Sequence, residues 1–354
     1  MSGASHETAE RGASTLWAVV PRPALSIVIP VYNEEQTLPE LHKRLVAFFG
    51  GMTVIGPRYE VVFVEDGSRD RSREFLLELA EKDLRYRVVL MSRNFGHQMA
   101  ITAGMDHAEG DAVVIMDADL QDPPEVVAEM YEKHREGFDV VYGVRRRRLG
   151  ETWFKRATAA LFYRLMRFST GVDIPADAGD FRLIGRPVVL TMRALRERHR
   201  FVRGLVAWVG FRQTAVRYDR DARYAGTTKY PFTKMLRFAI DGITSFSTFP
   251  LRLATWLGVL AGLVAVGAGI WAFVVKFIAS GIVPGWTTIM ILVAFAASAQ
   301  LLMMGVLGEY IGRIYEEIKR RPLYVVDRIV NGAAGPQPTT ADVESRPGTA
   351  MRHD

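Results

Sequence analysis

Cysteine is absent from this 354-residue chain, which excludes disulfides and cysteine-ligated zinc and suits a reducing compartment. Neither G-x-G-x-x-G nor G-x-x-x-x-G-K-[ST] occurs, so a dinucleotide fingerprint and a P-loop both lack support. No repeat of solenoid length is visible. The apolar run at 16–20 is too short for the core of a signal peptide. Net charge is +6, which admits nucleic acid, an anionic membrane surface or phosphate-bearing substrates as partners.

Charge itself is missing from two stretches, 253–275 and 277–308, which run 23 and 32 residues. Both exceed the roughly 20 apolar residues that match a bilayer core, so a two-helix transmembrane hairpin is expected, with helices near 253–275 and 287–307. Gly281, Pro284 and Gly285 break the turn at 279–286, and Trp286 suits an interfacial anchor. Lys229, Lys234, Arg237 and Arg252 precede the hairpin, and Arg313, Lys319, Arg320 and Arg321 follow it. Only Lys276 lies beside the turn. That asymmetry places both ends in the cytoplasm, and the flanks weigh against two buried helices of a soluble protein. The cations therefore argue for a membrane and phosphates, not nucleic acid.

Before the hairpin, short β-rich apolar runs alternate with helical spacing. Strands are expected at 25–31 (LSIVIPV), 60–64, 88–91 and 112–116, and 140–142 closes the series. Helices are expected at 38–49, 71–81 and 99–108. This α/β pattern implies a mostly parallel sheet covered on both faces, with ligands beyond the carboxyl ends of the strands. Residues 1–24 and 331–354 read as disordered tails. Between them lie a 25–229 domain, an amphipathic juxtamembrane segment at 230–250, the hairpin at 251–308, and a juxtamembrane helix with its extension at 309–330. A second amphipathic, aromatic and basic segment at 151–168 has the composition of an interfacial helix, with a core-facing helix as the plainer reading.

Unusual polar residues cluster at the expected strand ends. Asp117 and Asp119, two apart on extended backbone, project to one face and repel unless a cation joins them. Mg2+ or Mn2+ fits such oxygen ligands, with Gln121 able to add a carbonyl. An isolated Asp-x-Asp is more often a solvated strand end, but this one follows a buried strand. Asp66 suits the N–H of a uracil-like base, while Ser68 or Asp70 suits the cap of the following helix.

Taken together, IPVYNEE (29–35), VEDGSRD (64–70), SRNFGHQ (92–98), MDADLQDPPE (116–125), YGVRRRR (142–148), DAGDFRLI (177–184), GTTKY (226–230) and GEYIGRIYEEIKRRPLYVV (308–326) resemble the GT-A glycosyltransferases of family 2. The nearest likeness is to the polyprenyl-phosphate glycosyltransferases, the group of bactoprenol glucosyltransferases and dolichol-phosphate mannose synthase. The resemblance implies a Rossmann-like GT-A catalytic domain and a nucleoside pocket at Pro30, Tyr32, Glu34 and Asp66. It also implies a metal and diphosphate edge at Asp117, Asp119 and Gln121, and a catalytic carboxylate at Asp180. Arg145 would approach the phosphates, and Lys229, with Arg182, would meet an acceptor phosphate. Two departures stand out: Glu65 precedes Asp66 where two aspartates are usual, and His97 replaces a usual lysine.

The implied reaction moves a hexose from a nucleotide sugar, UDP-glucose first, to undecaprenyl phosphate for modification of cell-envelope glycans. GDP-mannose, a UDP-N-acetylhexosamine and an aminosugar donor are the alternatives. A lipid phosphate is largely dianionic at neutral pH, so Asp180 need not act as a base. A positioning role through Arg182 is favoured, against a structural pair with Arg182 or Arg186. The implied setting is a multi-pass protein of the bacterial plasma membrane, homo-oligomeric up to a tetramer. A processive synthase is disfavoured because Q-x-x-R-W is absent. A non-catalytic nucleotide-sugar-binding scaffold or flippase subunit is disfavoured by the intact acidic set.

Overall fold

A computed structural model describes residues 22–146, 178–219, 248–278 and 285–332. The amphipathic segments at 151–168 and 230–247, the hairpin turn at 279–284 and Lys229 lie outside the described residues.

The first run forms β1 (Leu25–Val31) and the next helix is α1 (Leu38–Gly51). Then follow β2 (Tyr59–Glu65), α2 (Ser72–Lys82), β3 (Tyr86–Met91), α3 (His97–His107) and β4 (Ala112–Ile115). After α4 (Val126–Arg135) and β5 (Val140–Arg145), the expected series ends, but the sheet continues through β6 (Ala178–Gly185). Helices α5 (Arg186–Ala194) and α6 (Val202–Trp208) lead to β7 (Gln213–Tyr218). Two long helices, α7 (Phe249–Ile278) and α8 (Trp286–Ile318), precede a last strand, β8 (Val326–Val330).

The eight strands are ordered β7-β5-β6-β4-β1-β2-β3-β8, and all but β6 and β8 run in one direction. Alternation explains the two-layer cover. Within β1, Ile27 and Ile29 face a core built with Leu41, Leu45, Leu76 and Met130, while Val28 faces the other core with Ile101, Val188 and Leu205. A strand apolar on both faces needs helices on both. Helix α3 lies close on the sheet because Gly104 has no side chain: a Cβ there would sit 2.1 Å from Val28 Cγ1. Pro30 is tolerated in a central strand because its nitrogen faces the side of β4, whose last bond to β1 is Met116 N–H to Val28 O at 3.0 Å.

The extension expected after the hairpin is in part a strand: β8 pairs antiparallel with β3 and covers that sheet edge. The tail boundaries shift as well. Ala24 is buried, and the Asn331 side-chain amide donates to Ala80 O at 2.5 Å and Tyr86 O at 3.0 Å, so both residues belong to the domain. Helices α7 and α8 are long and apolar enough to cross a membrane, with spans at Phe249–Trp271 and Phe295–Ile318. They pack together where Gly258 meets Met303.

Candidate functional site

The loops after β1 and β2 clasp each other. Asn33 N–H donates to Ser68 Oγ at 3.1 Å and Arg69 N–H returns a bond to Asn33 Oδ1 at 2.8 Å. Glu35 N–H donates to Asp70 Oδ2, Arg71 N–H to Glu35 Oε2, and Glu34 N–H to Ser72 Oγ. Asp70 also accepts Ser72 N–H, the first amide of α2, at 3.0 Å, although the N-cap position itself is held by Arg71 with no side-chain bond. Ser68 serves the clasp instead. This lacing holds Asn33 in the left-handed region at φ 57, a conformation few residues other than glycine or asparagine adopt readily. Tyr32 stands 43% exposed at the mouth of the loop, whereas Pro30 is buried beneath it. Glu34 Oε2 accepts the Thr37 hydroxyl at 2.6 Å.

Asp66, 3% exposed at the end of β2, accepts Phe95 N–H at 2.7 Å and Gly96 N–H at 2.9 Å. It thereby shapes the loop entering α3, and each oxygen keeps its second lone pair. Burial, partly offset by these two amides, raises its pKa. Gly67 permits the same loop to approach: at φ +69, a Cβ would lie 2.7 Å from Asn94 N. Beside it, Glu65 is fully buried, Oε1 accepts Ser68 N–H, and Oε2 is enclosed without a hydrogen bond.

The acidic triplet corrects one premise. Strand β4 stops at Ile115, and Asp119 lies in a turn whose next residue, Leu120, is 3% exposed at φ 61. Asp117 therefore lies beyond the strand and Asp119 is presented by the turn, not by alternation along β4. Asp119 is 7% exposed and accepts Gln121 N–H at 3.1 Å through Oδ1. The Asp117 side chain is 31% exposed, yet its Oδ1 is enclosed with no hydrogen bond. Burial first, then Asp122, Asp180 and Asp119 raise its pKa against the pull of His97.

Antiparallel β6 explains why a distant segment reaches this edge. Arg182 pairs with Ile115, the last residue of β4, so Asp180, two residues before it in β6, lies beyond the end of β4 on the side of Asp117. The partner of Asp180 is neither Arg182, the route of the favoured positioning role, nor Arg186, offered with Arg182 as the structural alternative, but Arg203 on α6: Nε donates to Oδ1 at 2.7 Å and Nη2 to Oδ2 at 2.8 Å. His97 Nε2 lies 3.3 Å from Asp180 Oδ2 and 3.6 Å from Asp117 Oδ1. Burial opposes the Asp180 charge, but Arg203 and His97 outweigh it and hold the carboxyl far below its usual range. For His97, burial is likewise outweighed by Asp180 and Asp117, and its pKa rises.

Arg182 is 3% exposed in the sheet and donates to Gly179 O at 2.7 Å. It sits under the site and not on its open surface. Arg145 ends β5 with an enclosed Nε that makes no hydrogen bond, beside Tyr218, whose hydroxyl donates to Asp122 Oδ1 at 2.6 Å. Pro30, Tyr32, Glu34, Asp66, Asp117, Asp119, Gln121, Arg145 and Asp180 thus gather at one end of the sheet. The sequence reading assigned no part to Arg203 or Tyr218, and His97 entered only as a departure.

The edge fits a hard divalent ion in a specific sense. Among the described residues no three acidic or histidine side chains form a ready metal cage. Two carboxylates, one with an orphaned oxygen, instead suit an ion whose remaining ligands come from water and substrate phosphates. Arg145, with its enclosed and unpartnered Nε, places a cation at the same end of the sheet. A separate cavity of about 1040 Å3 lies between α3, α5 and the end of α8, lined by Arg193, Arg196, Arg198, Arg320, Arg321 and Tyr324. Arg193 donates to the carbonyls of Met105 and Ala108, and Arg196 and Tyr324 share Asp106, so it is a polar seam between the sheet domain and the hairpin.

The profile of glycosyl transferase family 2 matches residues 26–191, and that of the GtrB C-terminal hairpin matches residues 249–314. The uncharacterized glycosyltransferase YkcC of Bacillus subtilis (strain 168) is 52% identical over 86% of this chain and 93% of its own length. A prophage bactoprenol glucosyl transferase homolog of Escherichia coli (strain K12) is 39% identical over 86% of this chain and 99% of its own. Among solved structures, the mannosyltransferase PcManGT from Pyrobaculum calidifontis aligns at 15% identity and a TM-score of 0.41, covering 86% of this chain and 94% of that chain.

Proposed function

The chain belongs to glycosyltransferase family 2, in the branch that ends in a GtrB C-terminal hairpin, and from that premise we propose that it transfers glucose from UDP-glucose to undecaprenyl phosphate with inversion at the anomeric carbon. The observation that carries this reading is the commitment of Asp180. Both of its oxygens are bonded to Arg203, and its pKa is depressed, so it is a poor acceptor for a hydroxyl proton. A phosphate monoester acceptor needs no such base, because its second pKa is near about 6 and its oxygen arrives anionic.

In this reading a lipid phosphate oxygen forms a bond to the anomeric carbon as the bond to the diphosphate oxygen breaks. The nucleoside diphosphate leaves with the electron pair, and an α-linked donor gives a β-linked lipid phosphate. Asp66, Glu34 and Tyr32 border the nucleoside, with the fully buried Glu65 behind them. Arg145 meets the diphosphate. Asp117 and Asp119, with Gln121 beside them, would hold Mg2+ or Mn2+, which supplies positive charge against the departing diphosphate. Asp180 keeps its negative charge beside the transferring sugar, where positive character develops.

The hairpin holds this edge near the cytoplasmic headgroup layer of the bacterial plasma membrane, with both termini cytoplasmic. Arg252 before it and Lys319, Arg320 and Arg321 after it support that orientation. The test is to incubate purified protein with undecaprenyl phosphate, Mg2+ or Mn2+, and a panel of UDP-glucose, GDP-mannose, UDP-N-acetylhexosamine and aminosugar donors. A lipid-linked glucose is expected. Product from another donor alone overturns the sugar assignment, and none from any donor overturns the transferase reading.

A further inference from the structure

The first turns of α3 and α6 meet around Asp180 in a closed circuit. His97 opens α3 and contacts Asp180 at 3.3 Å, while Gln98, the next residue, accepts Val202 N–H at 3.0 Å through Oε1. Val202 opens α6, and Arg203, the next residue, returns to Asp180 through two parallel bonds. Helix α6 is anchored independently of that pair, by Val202, Leu205 and Val206 in the core. The loop before it is tied to the far end of α8: Arg198 N–H donates to Glu317 Oε2 at 3.1 Å, and His199 Nε2 lies 3.0 Å from Glu316 Oε2. One short segment therefore links the end of the second apolar helix to the carboxylate at the transfer edge.

We propose that Arg203 is a positioning residue for the transfer, acting through Asp180 by fixing the direction of its carboxylate. A largely buried ion pair contributes little net stability after desolvation, so its geometric effect is the larger one. The planar guanidinium fork matches a carboxylate at two points, which an ammonium cannot do. With the His97 contact on one oxygen and the fork across both, Asp180 has a single orientation beside Asp117. Arg203 itself acts at one remove from the sugar, so its loss affects the reacting state more than donor binding.

This rests on the transferase reading above, and the test separates the two. R203K, R203Q, D180N and the D180N/R203Q double variant are compared in the full-length protein with UDP-glucose, undecaprenyl phosphate and Mn2+. R203Q is expected to lower kcat roughly 10- to 100-fold while the KM for UDP-glucose stays within about threefold. R203K should recover part of the loss. On the D180N background, R203Q should cost less than about threefold more, because its route of action is already gone. A rise in KM at unchanged kcat, full activity of R203K, or multiplying losses in the double variant would each overturn the proposal. Thermal midpoints check folding, and if R203Q does not fold, R203K decides. Slow hydrolysis of the donor is followed in the same samples, so a wrong acceptor removes the function reading while Arg203 is still tested.

Discussion

Replacing Asp180 by Asn keeps the side-chain shape and removes its charge, and its cost in stability follows from the geometry. Asp180 is 7% exposed and accepts Arg203 Nε and Nη2 at 2.7 and 2.8 Å. An asparagine has one oxygen to offer, and its amide nitrogen then faces a second donor. One hydrogen bond to a charged group contributes about 1.5–3 kcal/mol. The Arg203 side chain is 28% exposed and regains some hydration, which sets the expected loss near the lower end, at about 2 kcal/mol. For a domain of about 150–250 residues this lowers the thermal midpoint by about 4–8 °C. The sign with pH is fixed by the depressed carboxyl: its stabilisation is complete above the unfolded pKa of about 3.9 and fades as pH falls below it. Tryptophan fluorescence of the detergent-solubilised protein reads the midpoint. The gap between wild type and D180N should narrow toward about pH 3 as the carboxyl is protonated, and should also shrink on the alkaline side as His97, whose pKa Asp180 raises, loses its proton. Equal midpoints at pH 7, or a gap that widens from about pH 5 toward about pH 3, would refute the reasoning.

Three further outcomes are expected. D119N should lower metal-dependent turnover by at least about 100-fold with an unchanged fold by circular dichroism, and unchanged turnover would remove the metal assignment. Chelation by EDTA should abolish product formation, with recovery on adding excess Mg2+ or Mn2+; full turnover in EDTA would contradict the role given to Asp117 and Asp119. G104A should destabilise by about 1–3 kcal/mol in urea titration, although alanine is the better helix former, because the added Cβ falls 2.1 Å from Val28 Cγ1. A neutral G104A would mean that α3 does not lie so close on β1.

Much of the fold was legible because its central strands are short apolar runs between polar turns. β1 was read to the residue, and β2, β3 and β4 within two residues at either end. The antiparallel strands were hidden for physical reasons. In β6, Asp180 and Arg182 interrupt the apolar pattern, yet both are buried, Asp180 in an ion pair with Arg203 and Arg182 with one donor on the Gly179 carbonyl. β8 is an edge strand with exposed Asp327 and Arg328, so it resembles a polar extension. The acidic edge was found by residue type and position, but its turn, with Leu120 at φ 61, is not encoded in a two-residue period. Arg203 carried no local signal. Its role depends on α6 returning to the start of β6, a contact that spacing along the chain does not reveal.

The central claim is that this site takes an acceptor already carrying its negative charge, because Asp180 is committed to Arg203. It is tested most directly by offering the purified protein UDP-glucose and Mn2+ with either undecaprenyl phosphate or undecaprenol, and measuring lipid-linked glucose. The account expects a β-linked product from the phosphate and none from the alcohol. Transfer to undecaprenol at a comparable rate, or no product from the phosphate, would contradict it.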